Sequence, residues 1–307
     1  MKIIDSHQHT FWHGRDDAGL IRDMDEHGIA LAWLLTWEIP EHPRQPEATG
    51  FGKILNPARV RPDGSHPGIL LEDLIIAKRR YPDRFILGYC PDPSLPGAPD
   101  LFEAACDMHG VKVCGEWKFR MLIDDPRSLE LFRAAGRRNA PVVLHLDVPY
   151  LPPEGGAYAP AWYGGTVANL ERALEACPET VFVGHAPGFW RELGGNADHS
   201  AKPYPHGEVL PGGRLEKMLE HHQNLCADLS AGSALVALKR DAGYAKELLT
   251  RFADRFLFAR DYYGGELLAF LDSLKLPLSV TEKIYHKNAE QLLAKSVPSQ
   301  AVTKKLS

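Results

Sequence analysis

Short apolar segments alternate with longer amphipathic segments along nearly the whole of the 307-residue chain. Eight of the apolar segments have the length and composition of buried strands, and segments with helical spacing separate them. Strands without a polar face are typical of parallel sheets that helices cover on the outside. A (β/α)8 barrel takes about 250 residues. We therefore predict an α/β fold of this class, the TIM barrel.

We predict one barrel domain over residues 1–296, with long loops after the strands, and a loose polar tail over residues 297–307. The strands are expected at residues 2–5, 30–37, 84–89, 111–119, 141–144, 180–184, 225–229 and 255–260. The helices are expected at residues 16–27, 69–81, 101–108, 126–138, 167–176, 214–222, 244–252, 265–273 and 281–294. Segments rich in glycine, proline and polar residues predict long loops above the strand ends at residues 38–68, 147–166 and 186–213.

Histidine or aspartate residues stand at the ends of four predicted strands. His7 and His9 follow the first strand, and residues i and i+2 of a strand point to the same face. His145, His185 and Asp261 end the fifth, sixth and eighth strands. Barrel enzymes carry their catalytic residues at this end of the strands, and imidazole and carboxylate groups bind divalent metals. The pattern predicts a metal site, whereas the alternative for His7 and His9 alone is a polar surface turn.

These residues also carry a resemblance to a known family. The segment Ile-Asp-Ser-His-Gln-His at residues 4–9, His145, the Gly184-His185 pair and Leu-Phe-Ala-Arg-Asp-Tyr at residues 257–262 resemble the amidohydrolase superfamily. The closest likeness is to its branch of lactonases, aromatic-acid decarboxylases and related hydrolases, and the last helix, residues 284–289, is similar too. The chain departs from many relatives at Ala259-Arg260, where they have Gly-Thr.

The resemblance implies a site for one or two divalent ions, usually zinc, with Mn²⁺ or another first-row metal as the alternative. It assigns metal binding to His7, His9, His145 and Asp261. His185 would bind a second ion or hydrogen-bond the reacting water. The resemblance also implies that Asp261 acts as general base, so Asp261 and His185 are the predicted catalytic residues.

The fourth strand leaves the choice between one and two ions open. Its Cys-Gly-Glu segment at residues 114–116 resembles that of TatD-like members, in which the glutamate bridges two metals, so Glu116 is a candidate metal ligand. The alternative is that Glu116 and Lys118 pair with each other and bind substrate. Asp5 similarly has two interpretations, either as a carboxylate that fixes an imidazole tautomer or as a plain turn residue.

Aromatic and cationic residues near the strand ends predict the substrate class. Trp12, Trp37 and Trp190 are expected to line a pocket, together with two further tryptophans at positions 117 and 162. Lys118 and Arg120 follow the fourth strand and are suited to binding a carboxylate. The alternative is that these two cations pair with Asp124 and Asp125. A small organic acid or its lactone is the predicted substrate.

The leading hypothesis is therefore a metal-dependent hydrolase that cleaves an ester, lactone or amide bond of a small anionic molecule. The alternative is a metal-dependent non-oxidative decarboxylase or hydratase of an aromatic or unsaturated acid. A TatD-like phosphodiesterase is third, and a non-enzymatic barrel would lack one of the ligand positions. A serine hydrolase is disfavoured because the sequence has no Gly-x-Ser-x-Gly segment.

Composition limits the partners. The net charge of −5 and the pI near 6.3 give no basic surface for nucleic acid or an anionic membrane. Five cysteines without a Cys-x-x-Cys pair, and an N-terminus without a secretory pattern, predict a reducing cytoplasm. We expect a small-molecule substrate, no nucleic acid and no membrane, with a homo-oligomer among the alternatives for quaternary structure.

Overall fold

Eight parallel strands form the framework in a computed structural model that describes residues 1–40, 54–147, 163–195 and 204–294. In chain order the strands are β1 (Ile4–Gln8), β2 (Leu31–Leu34), β3 (Trp37–Glu38), β4 (Gly68–Ile69), β5 (Phe85–Leu87), β6 (Cys114–Trp117), β7 (Val142–His145), β8 (Phe182–His185), β9 (Leu225–Asp228) and β10 (Phe256–Leu257). The short strands β3 and β4 pair only with each other, antiparallel. The other eight pair in the order β1-β2-β5 and β6-β7-β8-β9-β10.

The two sheets adjoin at two seams, which makes the fold a (β/α)8 barrel. At one seam, a parallel bridge joins Gly88 to Val113, just before β6. At the other, the backbone N–H of Ser6 donates to the carbonyl of Phe258 over 2.9 Å, and the N–H of Asp261 donates to the carbonyl of His7 over 2.9 Å. The first strand therefore lies beside the last, as the predicted fold class requires.

Helices cover the outside of the barrel. They are α1 (Asp17–Glu26), α2 (Leu71–Arg80), α3 (Ala98–His109), α4 (Pro126–Arg137), α5 (Val167–Ala176), α6 (Pro187–Trp190), α7 (Arg214–His221), α8 (Ala231–Lys239), α9 (Ala242–Arg251), α10 (Glu266–Ser273), α11 (Leu278–Glu282) and α12 (Asn288–Ala294). A π-helical turn, Lys283–Lys287, joins the last two. No helix in the described ranges is both long and apolar enough to cross a bilayer.

Local sequence explains where several helices begin. The Asp16 carboxylate accepts from the N–H of Gly19 and caps α1, and Asp125 caps α4 ahead of Pro126. Short polar side chains satisfy backbone donors that a helix start leaves open, and proline suits the first helical position. The predicted helices agree with the structure to within a few residues, and residues 167–176 match α5 fully.

Three features depart from the predictions. The sequence does not predict helices α6 and α8. The predicted loop at residues 38–68 begins in β3, ends in β4 and contains a 3₁₀ turn at Pro57–Arg59. The predicted second strand at residues 30–37 is interrupted between β2 and β3, because β3 turns aside to pair with β4. The tail at residues 297–307 and parts of the three predicted loops lie outside the described residues.

The core has two layers because strand side chains alternate between the two faces of the barrel wall. The inner layer fills the barrel below the strand ends with Ile4, Trp33, Leu35, Val113, Val143, Val183, Cys226 and Leu257, and Ala289 and Leu292 of α12 close it from below. A larger outer layer packs the wall against the helices. The filled interior leaves the C-terminal strand ends as the place where polar side chains converge.

A buried ion network reinforces the seam between β1 and the segment after β10. Arg260 donates from Nε to Asp5 Oδ2 over 2.7 Å, its backbone N–H donates to Asp5 Oδ1 over 2.9 Å, and its Nη1 lies 2.7 Å from Asp23 of α1. Among the described residues, the Asp5 carboxylate has no hydrogen bond to an imidazole ring, and it lies in β1 and not in a turn. It pairs instead with Arg260.

We expect Asp5→Asn to lower the free energy of unfolding by about 3 kcal/mol, because it leaves Arg260 buried with less compensation. Asp254→Asn is the matched control, since its 2.8 Å pair with Lys283 is largely solvent-exposed and should contribute less than about 1 kcal/mol. Urea unfolding of both variants measures the difference. Equal, small losses would show that the buried network does not stabilise the seam.

Candidate metal centre

Four imidazole rings converge on two carboxylates at the C-terminal ends of the barrel strands. His9 Nε2 lies 3.4 Å from Asp261 Oδ1 and 3.5 Å from Glu116 Oε2. His7 Nε2 lies 3.7 Å from the same oxygen of Asp261 and 4.0 Å from the same oxygen of Glu116. The ring nitrogens of the two first-strand histidines thus face one space, as their i, i+2 spacing predicts.

The remaining two histidines approach the same carboxylates from the other side. His185 Nε2 lies 3.6 Å from Asp261 Oδ2 and 3.8 Å from Glu116 Oε1. His145 Nδ1 lies 2.5 Å from Glu116 Oε1. The six residues predicted as metal ligands therefore form one cluster, in which Glu116 and Asp261 lie between the imidazoles.

Asp228, at the end of β9, orients two of these rings from behind. Its Oδ2 accepts from His7 Nδ1 over 2.8 Å, and its Oδ1 lies 3.0 Å from His185 Nδ1. Ser230 Oγ lies 2.6 Å from Oδ1 of the same carboxylate and 2.7 Å from His185 Nδ1. Since a charged carboxylate can only accept, its bond to His7 places the proton on Nδ1 of that ring, and the Nε2 atoms of both rings face the cluster.

The other two histidines are held in the same manner. His9 Nδ1 donates to the carbonyl of Leu35 over 2.8 Å, and His145 Nε2 lies 3.3 Å from Asp147 Oδ2. Each imidazole of the cluster therefore has one ring nitrogen beside an outer oxygen. The other nitrogen faces both Glu116 and Asp261 in His7, His9 and His185, and Glu116 in His145. Metal-binding histidines are typically oriented by such outer partners.

Backbone conformation sets two of these side chains in place. Gly184 precedes His185 because a Cβ at that position would lie 2.3 Å from the ring of Phe189 in α6. Asp261 has φ of 50°, in the left-handed region that costs free energy for residues with a side chain. Asparagine and aspartate tolerate this region better than most residues, so the turn that aims Asp261 at the cluster is compatible with its identity.

Burial and neighbouring charges shift the pKa values of the cluster. Burial disfavours the charged form of His7, but Asp261 and Asp228 outweigh it, so the pKa of His7 lies above its ordinary value. Burial likewise disfavours the carboxylate of Glu116, but Lys118 and His145 hold its pKa well below its usual range. Burial opposes the charge of Asp228 too, yet His185 and His7 lower its pKa. The carboxylates of Glu116 and Asp228 are therefore charged at neutral pH.

The donor set fits a divalent metal. Among the described residues, buried His7 Nε2, His185 Nε2 and Asp261 Oδ1 have no hydrogen-bond partner, which is costly unless something else binds them. Ligand atoms of His7 with His9 and Glu116, of His7 with His185 and Asp261, and of Glu116 with His145 and His185 lie within 4.8 Å of one another. Nitrogen and carboxylate donors at this spacing suit zinc and other first-row metals.

The predicted substrate-binding cation Lys118 lies beside the cluster against aromatic rings. Its Nζ is 4.2 Å from the centre of the Trp37 ring and 5.5 Å from that of Tyr163. The Glu116 carboxylate, within the described residues, makes its ion pairs of 4 Å or less with histidines. Lys118 therefore lowers the pKa of Glu116 through the field of its charge. The alternative interpretation, a direct ion pair of Glu116 with Lys118, is not what holds Glu116.

Arg120 follows on the same segment and is partly buried. The two aspartates that were the alternative partners of Lys118 and Arg120 are bonded elsewhere. Asp124 accepts from Asn169 and Arg172, and Asp125 accepts from Arg127. These contacts stabilise the start of α4 and its packing on α5.

The predicted pocket tryptophans separate into two groups. Trp12 and Trp37 lie near the cluster, with ring centres 6.0 Å apart, and the Trp12 ring is 5.4 Å from that of His9. Trp190 is 1% exposed, stacks near Phe256 and donates from Nε1 to the carbonyl of Asp228. The structure thus places Trp190 in the core behind Asp228, and Trp117 is also in the core, while residue 162 lies outside the described residues.

The sequence reasoning missed Asp228, Ser230 and Asp147. Asp228 ends an apolar strand in the same manner as His145 and His185, so the rule that found those histidines would have found it. Asp147 follows His145 by two residues, which is the spacing of side chains on one face. Tyr163 could not be predicted from the sequence pattern, because it is distant from Lys118 in the sequence and lies near it only in the folded chain.

No protein-family model matches the chain, and the comparison with curated proteins finds no match. Solved structures match over almost the full length. An uncharacterized TIM-barrel protein from Bordetella bronchiseptica has 16% identity and a TM-score of 0.62, over 96% of this chain and 99% of that one. The barrel fold expected from the sequence is thereby confirmed.

Two further solved structures have enzyme names. A dihydroxybenzoic acid decarboxylase from Polaromonas, with bound manganese and 2-nitroresorcinol, has 16% identity and a TM-score of 0.57, over 97% of this chain and 98% of that one. A protein assigned as 2-pyrone-4,6-dicarboxylic acid hydrolase from Pseudomonas putida has 12% identity and a TM-score of 0.57, over 96% of this chain and 98% of that one. At these identities the likeness is one of fold.

We expect Asp228→Asn to weaken Zn²⁺ or Mn²⁺ binding by about 10–100-fold, because the amide cannot bond both Nδ1 atoms as the carboxylate does. Asp254→Asn is the control, since it makes the same change at an exposed carboxylate that pairs with Lys283. Calorimetric titration of the metal-free proteins measures both affinities. Wild-type affinity in Asp228→Asn would mean that the two rings need no common acceptor.

Proposed function

We propose that the protein is a metal-dependent hydrolase of the amidohydrolase superfamily that cleaves an ester, lactone or amide bond of a small organic acid. The observation that carries the proposal is the position of Asp261. Its carboxylate reaches three imidazoles, yet its Oδ1 has no hydrogen-bond partner. A buried carboxylate oxygen in this position is suited to accept a proton from a reacting water.

The residues that would hold the metal are the six of the cluster, His7, His9, Glu116, His145, His185 and Asp261. A bound divalent ion lowers the pKa of a water molecule towards neutrality and polarises a carbonyl oxygen. Nitrogen-rich donors with two carboxylates suit zinc, and manganese is supported by the metal of the Polaromonas structure. With two carboxylates between four imidazoles, the set has enough donors for two ions.

The protein groups supply the proton transfers and the orientation. Asp261 removes the proton from the attacking water and later delivers it to the leaving group. His185 presents Nε2 to the cluster, where its lone pair would bind a second ion or, beside a single ion, accept a hydrogen bond from that water. Asp228 holds the rings of His7 and His185 in place through their Nδ1 atoms.

Lys118 gives the proposed preference for an anionic substrate. Its ammonium group lies over Trp37 beside the cluster, where a substrate carboxylate can pair with it while a planar group packs on the aromatic side chains. Arg120 extends the positive charge along the same segment. A small carboxylic acid that bears a hydrolysable bond fits this combination.

Non-oxidative decarboxylation of an aromatic acid is the second candidate. It is supported by the decarboxylases among the solved structures with this fold. The same metal and the same aspartate would serve both reactions, so the cluster alone favours neither. The two candidates differ in the bond that breaks, which makes the products the decisive observation.

The first test measures metal content and products together. We expect elemental analysis to find zinc or manganese in the wild type, and expect less metal in Glu116→Gln because a donor carboxylate is lost. A panel of aryl esters and pyrone or benzo-fused lactones should give acid release that chelation abolishes and added metal restores. Carbon dioxide released from hydroxybenzoates, without lactone cleavage, would establish the second candidate. Metal-free wild-type protein that cannot be reloaded would contradict both.

We expect Lys118→Met to raise KM for a carboxylated substrate by about tenfold or more, because a charge-assisted bond is lost. Methionine keeps a flexible chain against Trp37, so the aromatic wall is retained. The matched control is an uncharged ester of the same ring system, whose KM should change little. Equal increases for both substrates would show that Lys118 does not bind the anion.

A further inference from the structure

Backbone strain concentrates around one hydrogen bond of the site. Six non-glycine residues in the described part of the chain have positive φ, and three of them meet here: Phe11 at 54°, His13 at 48° and Asp261 at 50°. Such conformations persist only where the surrounding structure imposes them, and they cluster at functional sites. The backbone on both sides of Trp12 is therefore held in a conformation that costs free energy, next to Asp261, the proposed general base.

The hydrogen bond joins a side chain to the backbone of Asp261. Trp12 donates from Nε1 to the carbonyl oxygen of Asp261 over 2.6 Å. The N–H of Asp261 donates to the carbonyl of His7 over 2.9 Å. Both backbone polar groups of Asp261 are thus bonded to the segment that carries His7 and His9, and its conformation is fixed relative to those rings.

Trp12 is itself anchored from the other side. Tyr263 donates its hydroxyl to the Trp12 carbonyl over 2.6 Å, and Trp12 forms a β-bridge with Arg15. The Arg15 guanidinium lies 4.0 Å from the centre of the Tyr263 ring and 3.1 Å from Asp23. These contacts keep the indole in place, so its N–H can hold Asp261 and not merely follow it.

We propose that Trp12 is a positioning residue for Asp261. Its indole N–H stabilises the left-handed conformation from which the Asp261 carboxylate faces His7, His9 and His185. Without that bond, Asp261 relaxes towards an ordinary backbone conformation and its carboxylate leaves the ring nitrogens. This role differs from the substrate-wall role that the sequence predicts for Trp12.

The ring of Trp12 also connects Asp261 to the proposed anion site. Its centre lies 6.0 Å from that of Trp37, edge to face, and Trp37 carries the ammonium of Lys118 on its own face. This step rests on the proposed function. A substrate that binds against Lys118 and Trp37 confines the indole that holds Asp261, so loss of the indole N–H lowers kcat more than it raises KM.

The sharpest variant replaces Trp12 by 3-benzothienylalanine, which keeps the bicyclic shape and exchanges the N–H for sulfur. Trp12→Phe is the second variant, in case the first fails to fold. Crystal structures of the metal-free wild type and variants give φ at Asp261 and the distance from Asp261 Oδ1 to His9 Nε2, 3.4 Å here. We expect φ to leave the left-handed region and this distance to increase. Unchanged values would overturn the proposal.

Cobalt binding gives a second readout in solution. We expect either variant to bind Co²⁺ about tenfold more weakly than wild type, with shifted visible absorption bands, because a ligand carboxylate is misplaced. The same 3-benzothienylalanine replacement at Trp33 is the matched control, since its buried Nε1 has no hydrogen-bond partner among the described residues. An equal loss in the Trp33 variant would assign the effect to the altered ring and overturn the specific role of the Trp12 N–H.

The kinetic readout separates this proposal from the proposed function. With a substrate from the ester and lactone panel, we expect the variants to lose kcat at nearly constant KM, while Lys118→Met shows the opposite pattern. If the wild type turns over no substrate and binds no metal, the proposed function fails. The crystal structures still decide whether Trp12 holds Asp261 in its conformation.

Discussion

The hydrogen bond from the Asp261 N–H to the His7 carbonyl is the interaction on which the site depends, because it joins the first strand of the barrel to the segment after the last strand. The first strand carries His7 and His9, and the segment after the last strand carries Asp261, so these groups meet only if the barrel closes. The buried pair of Arg260 with Asp5 reinforces the same seam one residue away. Fold closure and assembly of the cluster are therefore one event.

Once the seam is closed, two buried charged systems use different partners. Asp5 pairs with Arg260, which also reaches Asp23 of α1, whereas Asp228 bonds His7 and His185 of the cluster. Burying a charge is tolerable only with such partners. Among the described residues, His7 Nε2, His185 Nε2 and Asp261 Oδ1 lack hydrogen-bond partners, and ligand atoms of these three residues lie within 4.8 Å of one another, which suits a shared ligand.

Much of the fold and of the cluster could be predicted from sequence, since both follow from local rules. Helical spacing predicted most of the helices, and Asp16 and Asp125 cap the starts of α1 and α4. A polar residue at the end of an apolar strand located His145, His185 and Asp261. Asp228 obeys the same rule. What could not be predicted depends on contacts between distant segments: the pairing of β3 with β4, the burial of Trp190 behind Asp228, and the bond from Trp12 to Asp261.

The cluster does not choose between hydrolysis and decarboxylation, so the choice must lie in where the substrate carboxylate is held. If the carboxylate pairs with Lys118, a different bond of the molecule lies over the cluster, and Asp261 acts on a water directed at that bond. If the carboxylate itself lies over the cluster, the reaction is decarboxylation. The ring carbon that loses carbon dioxide must then accept a proton, which Asp261 would supply. The ammonium of Lys118 lies on the aromatic wall beside the cluster, and the hydrolysis that we propose corresponds to the first arrangement.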